Sequence, residues 1–172
     1  MQQCVDLKTR KSIIIRHAIP NSRGKKLLKS ATDEFALFGF ARARVDCIAE
    51  NAGLNKSLIY HYFGSKEQLY SNELRAAYAK IRNGEKELQL PTWDPEASIR
   101  ALIRFTFDYY RDNPEFVLLL ASENLLQGKF LREIPDIKKL QSPLISQPST
   151  LIDDGIAWGY FNVRIEPVRL YN

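Results

Sequence analysis

The sequence predicts an all-α chain of about seven helices, with a small basic three-helix head joined by a long fourth helix to a larger helical body. Three observations predict it. Apolar residues recur at three- and four-residue steps along most of the chain. Capping and stop residues bound each periodic run. No internal repeat or low-complexity tract interrupts the pattern.

Pro20-Asn21-Ser22 supplies a stop and an N-cap, after which Leu27, Leu28, Ala31, Phe35 and Phe38 form the apolar stripe of a first helix. Gly39 is expected to end it, with Phe40 folding back onto the stripe. Val45, Ile48, Ala49 and Ala52 mark a second, short helix ended by Gly53. Asn55 caps a third, held by Leu58, Ile59, Tyr62 and Phe63 and closed by Gly64. Ser65-Lys66-Glu67-Gln68 is a capping-box pattern that opens the fourth helix, which carries Leu69, Tyr70, Leu74, Ala77, Tyr78 and Ile81. It ends by about Leu90, because Pro91 cannot continue it.

Asp94-Pro95-Glu96 starts the fifth helix with an N-cap, a proline at N1 and an acid in the first turn. Its stripe is read as Ile99, Leu102, Ile103, Thr106, Phe107 and Tyr110. Asn113-Pro114-Glu115 repeats the device, and the almost wholly apolar run from Phe116 to Leu126 is expected to be buried on most sides. Beyond Pro135 the pattern weakens around Pro143 and Pro148, and a last helix runs roughly from Ser149 to Trp158, before Gly159.

The 172 residues, 45% of them hydrophobic, suffice for a core in one domain or in two small ones sharing an interface. Expected divisions are an N-terminal arm at 1–21, a head at 22–82 and a body at 83–172. The net charge of +5 is localised: residues 1–70 hold 12 Lys/Arg against 6 Asp/Glu, and residues 71–172 hold 13 against 14. A basic head is either a solvated face or one that meets a polyanion. Cys4 and Cys47 lie far apart with no second thiol or His at ligand spacing, which argues against a disulfide framework or a zinc site and fits a reducing cytosol. No apolar run approaches the ~18 residues of a membrane span. Ile13–Ile15 reads equally as part of a disordered arm, a vector-derived segment or a strand-like flap.

The second and third helices, joined around a glycine, form a helix-turn-helix unit over about Arg44 to Phe63. Its second helix has the size to enter a major groove of about 12 Å. Ala49 and Ala52 are small where the helices touch, and Gly53 tolerates φ > 0 in the turn. Lys56 and Ser57 place donors at the start of the recognition helix, for guanine, a phosphate or a base edge. Tyr60 lies one turn on, on the same face, and His61 sits near the groove edge. Lys66 and the free amides of the fourth helix offer a second phosphate site.

The stretch FGFARARVDCIAENAGLNKSLIYHYFGSKEQLY resembles the DNA-binding head of TetR-type bacterial transcriptional regulators. That family carries an aromatic after Gly, then Val-x-x-Ile-Ala-x-x-Ala-Gly and Tyr-x-x-Phe-x-Ser-Lys-Glu-x-Leu. Gly39-Phe40, Val45, Ile48-Ala49, Ala52-Gly53, Tyr60, Phe63, Ser65-Lys66-Glu67 and Leu69 stand in register. The resemblance implies phosphate contacts from Tyr60 and Lys66, and base or backbone contacts from Lys56, Ser57 and His61. It places Arg42 and Arg44 near the DNA backbone. Arg44 stands where the family often has a Thr cap. Leu58 replaces a frequent Thr, and either meets a thymine methyl or packs inside.

The resemblance also implies a body that binds a small effector and dimerises, so the expected partners are a palindromic double-stranded operator, an unidentified small molecule and a second copy of the chain, in the cytoplasm. Phe105, Tyr109, Phe116, Leu120 and Trp158 are the candidate ligand-cavity residues. Glu123 and Asn124 are read as surface or interface, and Asp153-Asp154 as solvated. No catalytic constellation, metal site or cofactor motif is found. GIAWGYFNVRIEP at 155–167 is similar to a family segment that precedes the dimerising helices. The sequence stops five residues later, so either a relative shortened at the dimer interface or pairing through different surfaces is expected. The competing reading is a truncated helical interaction module that no longer binds DNA productively.

Overall fold

The computed structural model describes residues 21–88, 90, 93–135, 137 and 149–161. The Ile13–Ile15 arm, Cys4, Pro143, Pro148 and the segment after Phe161 lie outside the described residues. Seven helices follow in order, α1 Asn21–Arg42, α2 Val45–Ala52, α3 Lys56–Phe63, α4 Lys66–Glu87, α5 Pro95–Asp112, α6 Pro114–Leu125 and α7 Lys129–Glu133. An eighth, α8, spans 149–157, and no strand occurs among the described residues.

The local signals act as their chemistry requires. Gly39 leaves helical geometry (φ 66°, ψ 171°), so α1 bends there and adds only one further turn. Gly53 is left-handed (φ 65°, ψ 37°), with its N–H on the Glu50 carbonyl at 3.0 Å and the Leu54 N–H on Ala49 at 2.9 Å. Ser65 Oγ accepts from the Gln68 amide at 3.2 Å and Asp94 Oδ1 from Ala97 at 2.9 Å, starting α4 and α5. Near the other end, Gly159 (φ 78°) ends α8, and the Tyr160 and Phe161 amides return to the Gly155 carbonyl at 2.8 and 3.1 Å. The Phe161 ring then fills the space a Gly155 Cβ would occupy.

Head and body share one core. Leu27, Ala31 and Phe35 of α1 pack with Val45, Ile48, Ala49 and Ala52 of α2, with Ile59 of α3 and with Leu69, Tyr70 and Leu74 of α4. The same cluster continues into Leu119 of α6, Phe130 of α7 and Ile134. Tyr70 is its aromatic centre, with ring centroids 4.9 Å from Phe35, 5.2 Å from Phe40 and 5.1 Å from Phe130. Phe40 does fold back, but onto Tyr70 and Phe130. The body therefore grips the head twice, through the continuous α4 and through α6, which lies along α1.

Three expectations are corrected by packing. Leu28 and Phe38 are exposed, because the apolar positions that α1 buries are the narrower Leu27–Ala31–Phe35 stripe. In α5 the inward positions are Ser98, Leu102, Phe105 and Tyr109, a 4-3-4 spacing, while Ile103 and Phe107 (68% exposed) point away. Gly84 sets this rotation: its missing Cβ lets the Phe105 ring close on α4, where an added Cβ would lie 2.7 Å from the ring. The apolar α6 buries Phe116, Leu119 and Glu123 and leaves Val117, Leu118 and Leu125 (87% exposed) uncovered within the chain.

Glu123 is the largest departure, since it is 0% exposed. Its Oε1 accepts from the Phe130 and Leu131 amides at 2.7 and 3.0 Å, satisfying the first turn of the five-residue α7. A buried Arg82–Glu85 ion pair sits one turn apart on α4. Burial raises the Glu85 carboxyl against the opposing pull of Arg82.

Candidate nucleic-acid interface

The α2–α3 unit is built by packing on one side and left polar on the other. Ile59 is buried, while Leu58, Tyr62 and Phe63 are half-buried and hold α3 down. Lys56, Ser57, Tyr60 and His61 are exposed, so one short helix presents four polar side chains to solvent. Leu58 sits between the two groups.

Several of these side chains are engaged in the free protein. Lys56 Nζ lies 2.8 Å from Asp46 Oδ1 of α2 and 5.9 Å from the centre of the Tyr60 ring. The hydrogen bond to Asp46 raises the Lys56 amine and lowers the Asp46 carboxyl. Asn55 Oδ1 accepts from the Ser57 amide at 2.9 Å and also from the Ser57 hydroxyl. Ser57 thus spends its proton on the cap and offers its lone pairs outward. His61 rests edge-on to Tyr62 at 5.5 Å.

The second positive group surrounds the α1–α2 junction and the start of α4. Arg42 and Arg44 are exposed. Arg44 occupies the N-cap position of α2 and makes no side-chain cap. A substitute comes from α1, where the buried Glu34 carboxylate accepts from the Arg44 amide at 2.8 Å. Lys66 opens α4 with Nζ 4.8 Å from the Phe40 ring centre and 3.4 Å from the Ala41 carbonyl. Its ammonium is fixed at the helix N-terminus beside Ser65. Glu67 supplies an acid in the same turn, its carboxyl lowered by its own backbone amide and by Ser65.

Sequence reasoning finds the exposed residues but not Asp46, Glu34 or Phe130, which position them. None of the three carries a local signal: Asp46 is ten residues from Lys56 and Glu34 ten from Arg44, and Phe130 is farther still from the Phe40 ring it supports.

Three of the five candidate ligand residues adjoin, the Phe105 ring centre lying 5.9 Å from that of Tyr109. Tyr109 and Phe116 meet edge-on at 5.5 Å and line a cavity of about 170 Å³ together with residues of α1 and α4. Phe105 covers Gly84, Leu120 is a partly buried neighbour of the core, and Trp158 is 52% exposed. Among the described residues no group of three His, Cys, Asp or Glu could hold a metal, and no helix is long and apolar enough to cross a membrane.

Comparison with known proteins agrees with this geometry. Residues 27–72 match the family described as bacterial regulatory proteins, tetR family, and residues 95–172 match the tetracyclin repressor-like C-terminal domain. The HTH-type transcriptional repressor NicS of Pseudomonas putida is 36% identical over 155 residues, 90% of this chain and 73% of NicS. The HTH-type transcriptional regulator RutR of Escherichia coli is 33% identical over 77% of this chain and 61% of RutR. The fold is shared with a HlyIIR variant (TM-score 0.68, 19% identity, 88% of this chain and 80% of that one). It is also shared with the TetR family regulator PfmR of Thermus thermophilus (TM-score 0.64, 20% identity, 83% and 77%). With both its head and its body matched, and with a 36% identical relative along most of its length, the chain belongs to the TetR family of bacterial regulatory proteins.

Proposed function

We propose that this chain is a sequence-specific DNA-binding repressor that acts as a homodimer on a palindromic operator in the bacterial cytoplasm and is released by a small-molecule effector. The observation that carries this reading is the α3 face, where Lys56, Ser57, Tyr60 and His61 are exposed on a helix whose other side is packed. Lys66 at the start of α4 adds a fixed cation of the kind that positions a phosphate. The naming of NicS as a repressor supports repression over activation.

In this mechanism Lys56 exchanges Asp46 for guanine or a phosphate, and Tyr60 and Lys66 hold the backbone. One head makes few phosphate contacts, so tight binding requires two heads at half-site spacing. An effector that favours one spacing of the heads shifts the population, and its grip on the body reaches the head by α4 and by α6 against α1. Gel-shift titration with the DNA upstream of the chain's own gene tests the reading. Lys66→Ala is expected to weaken binding to all sequences, and Lys56→Ala to change sequence preference as well. Equal affinity of both variants and the parent for that DNA overturns it.

A further inference from the structure

The ammonium that opens α4 rests on a series of rings that starts in the body. Lys66 is half-buried, with Nζ 4.8 Å from the centre of the Phe40 ring and 3.4 Å from the Ala41 carbonyl. The Phe40 ring lies 4.4 Å from the Phe130 ring and 5.2 Å from that of Tyr70. Phe130 and Tyr70 stand edge-on at 5.1 Å, and both are buried (1% and 0% exposed). Phe40 itself is only half-buried and follows Gly39, where α1 leaves helical geometry. Ring contacts, more than the helix, therefore fix where its side chain lies. Tyr70 belongs to α4, the helix that Lys66 begins, so Phe130 is the support that comes from the body.

Phe130 is held in its turn. It is the second residue of α7, and the buried Glu123 carboxylate of α6 accepts from its amide at 2.7 Å and from the Leu131 amide at 3.0 Å. A helix of five residues has too few internal bonds to hold itself. Glu123 supplies the missing anchor. The contacts thus run from the Glu123 carboxylate to the Phe130 amide and ring, then to the Phe40 ring, and end at the Lys66 ammonium. An ammonium has three donors. With the Ala41 carbonyl on one of them and the ring face beneath the charge, a donor is left for a phosphate. A lysine held in this way loses little side-chain freedom when it meets one.

We infer that Phe130 and Glu123 are positioning residues for Lys66: by holding the Phe40 ring they hold the ammonium at the start of α4, and they raise affinity for DNA without touching it. The DNA part of this inference rests on the proposed function, and the seating of Lys66 does not. A shift of α6 or α7 reaches a phosphate contact by this route without passing along α4.

Two readouts on the full chain separate these parts. NMR with isotope-labelled lysine reads the ring current of Phe40 on the Lys66 ε-methylene, a signal identified by its loss in Lys66→Arg. It is expected upfield of its random-coil position, and should move toward that position in Phe130→Leu and in Glu123→Ala. Glu123→Gln, which keeps an acceptor, should leave it nearly in place. Fluorescence anisotropy with a random-sequence duplex at low salt reads the contact. Phe130→Leu is expected to bind about two- to fivefold more weakly than the parent, and to cause no further loss where Lys66 is already replaced by Ala. Ile81→Ala, which truncates an equally buried side chain about four turns further along α4, should leave both readouts at the parent's values. Folding is checked by circular dichroism, and Phe40→Leu, which removes a half-buried ring, should show the same two losses even where Phe130→Leu does not fold. A Lys66 signal unmoved in Phe130→Leu, an equal loss of affinity with and without Lys66, or the same changes in Ile81→Ala overturns the inference. If no protein, the parent included, binds the duplex, the proposed function fails and the NMR readout still decides the seating of Lys66.

Discussion

Lys56 is paired with Asp46, so the proposed contact of this lysine with DNA is offset in part by loss of that pair. Both side chains are exposed, which keeps that cost small. Asp46→Asn is expected to raise affinity for random duplex DNA about two- to fivefold, read by fluorescence anisotropy at low salt. Lys56→Ala and Lys66→Ala should each lower the slope of log affinity on log salt by about 0.9, one phosphate contact apiece. Of the two, only Lys56→Ala should also relax base preference. At Glu73 the prediction concerns stability. Its folded carboxyl titrates near 8, against an ordinary value of 4.5. Between those values the native state holds a proton that the unfolded chain has lost. Stability from this group is therefore complete below about 4.5, falls by about 1.4 kcal/mol per pH unit across the window, and is gone above about 8. Comparing urea midpoints of the parent and Glu73→Gln at several pH values isolates this slope as the difference between the two proteins, because the contribution of Glu85, also raised by burial, remains in both.

At the scale of elements, the helix boundaries set by Gly53, Asn55, Ser65, Asp94 and Gly159 were legible in the sequence because these residues act within four residues of their own position. Gly53→Ala tests the turn in isolation. No atom lies within 4 Å of the added Cβ, so only the left-handed backbone resists it, and a loss of about 1 kcal/mol in urea denaturation is expected. Long-range devices were not legible. α7 is five residues long and owes its start to Glu123 across a tight turn. A carboxylate after an apolar run reads as surface, whereas here it satisfies two amides of a later element. Glu123→Ala should cost about 2–4 kcal/mol by stranding those amides, while Glu123→Gln, which keeps an acceptor, should cost much less. The α5 stripe was misread for a related reason. Two overlapping apolar periods run along it, and the close approach of Phe105 to Gly84 chooses between them.

Across the whole molecule, the division into head and body is less sharp than the sequence implies. Phe130 of the body packs 4.4 Å from Phe40, and Phe40 in turn supports Lys66 at 4.8 Å. The Lys66 ammonium, the proposed phosphate contact, is thus seated on a ring that the body holds. The exposed face of α3 was legible residue by residue, since it needs only the alternation of packed and polar positions on one helix. Its supports on α1, α2 and α7 were not, because tertiary packing alone brings them there. The central claim is that this face, doubled by a second copy, reads a palindrome. Nuclease footprinting of the DNA upstream of the chain's own gene tests it most directly, with the parent and Lys56→Ala side by side. The account predicts a protected palindrome whose protection is lost or redistributed in Lys56→Ala; no protected palindrome, or the same footprint from both proteins, would contradict it.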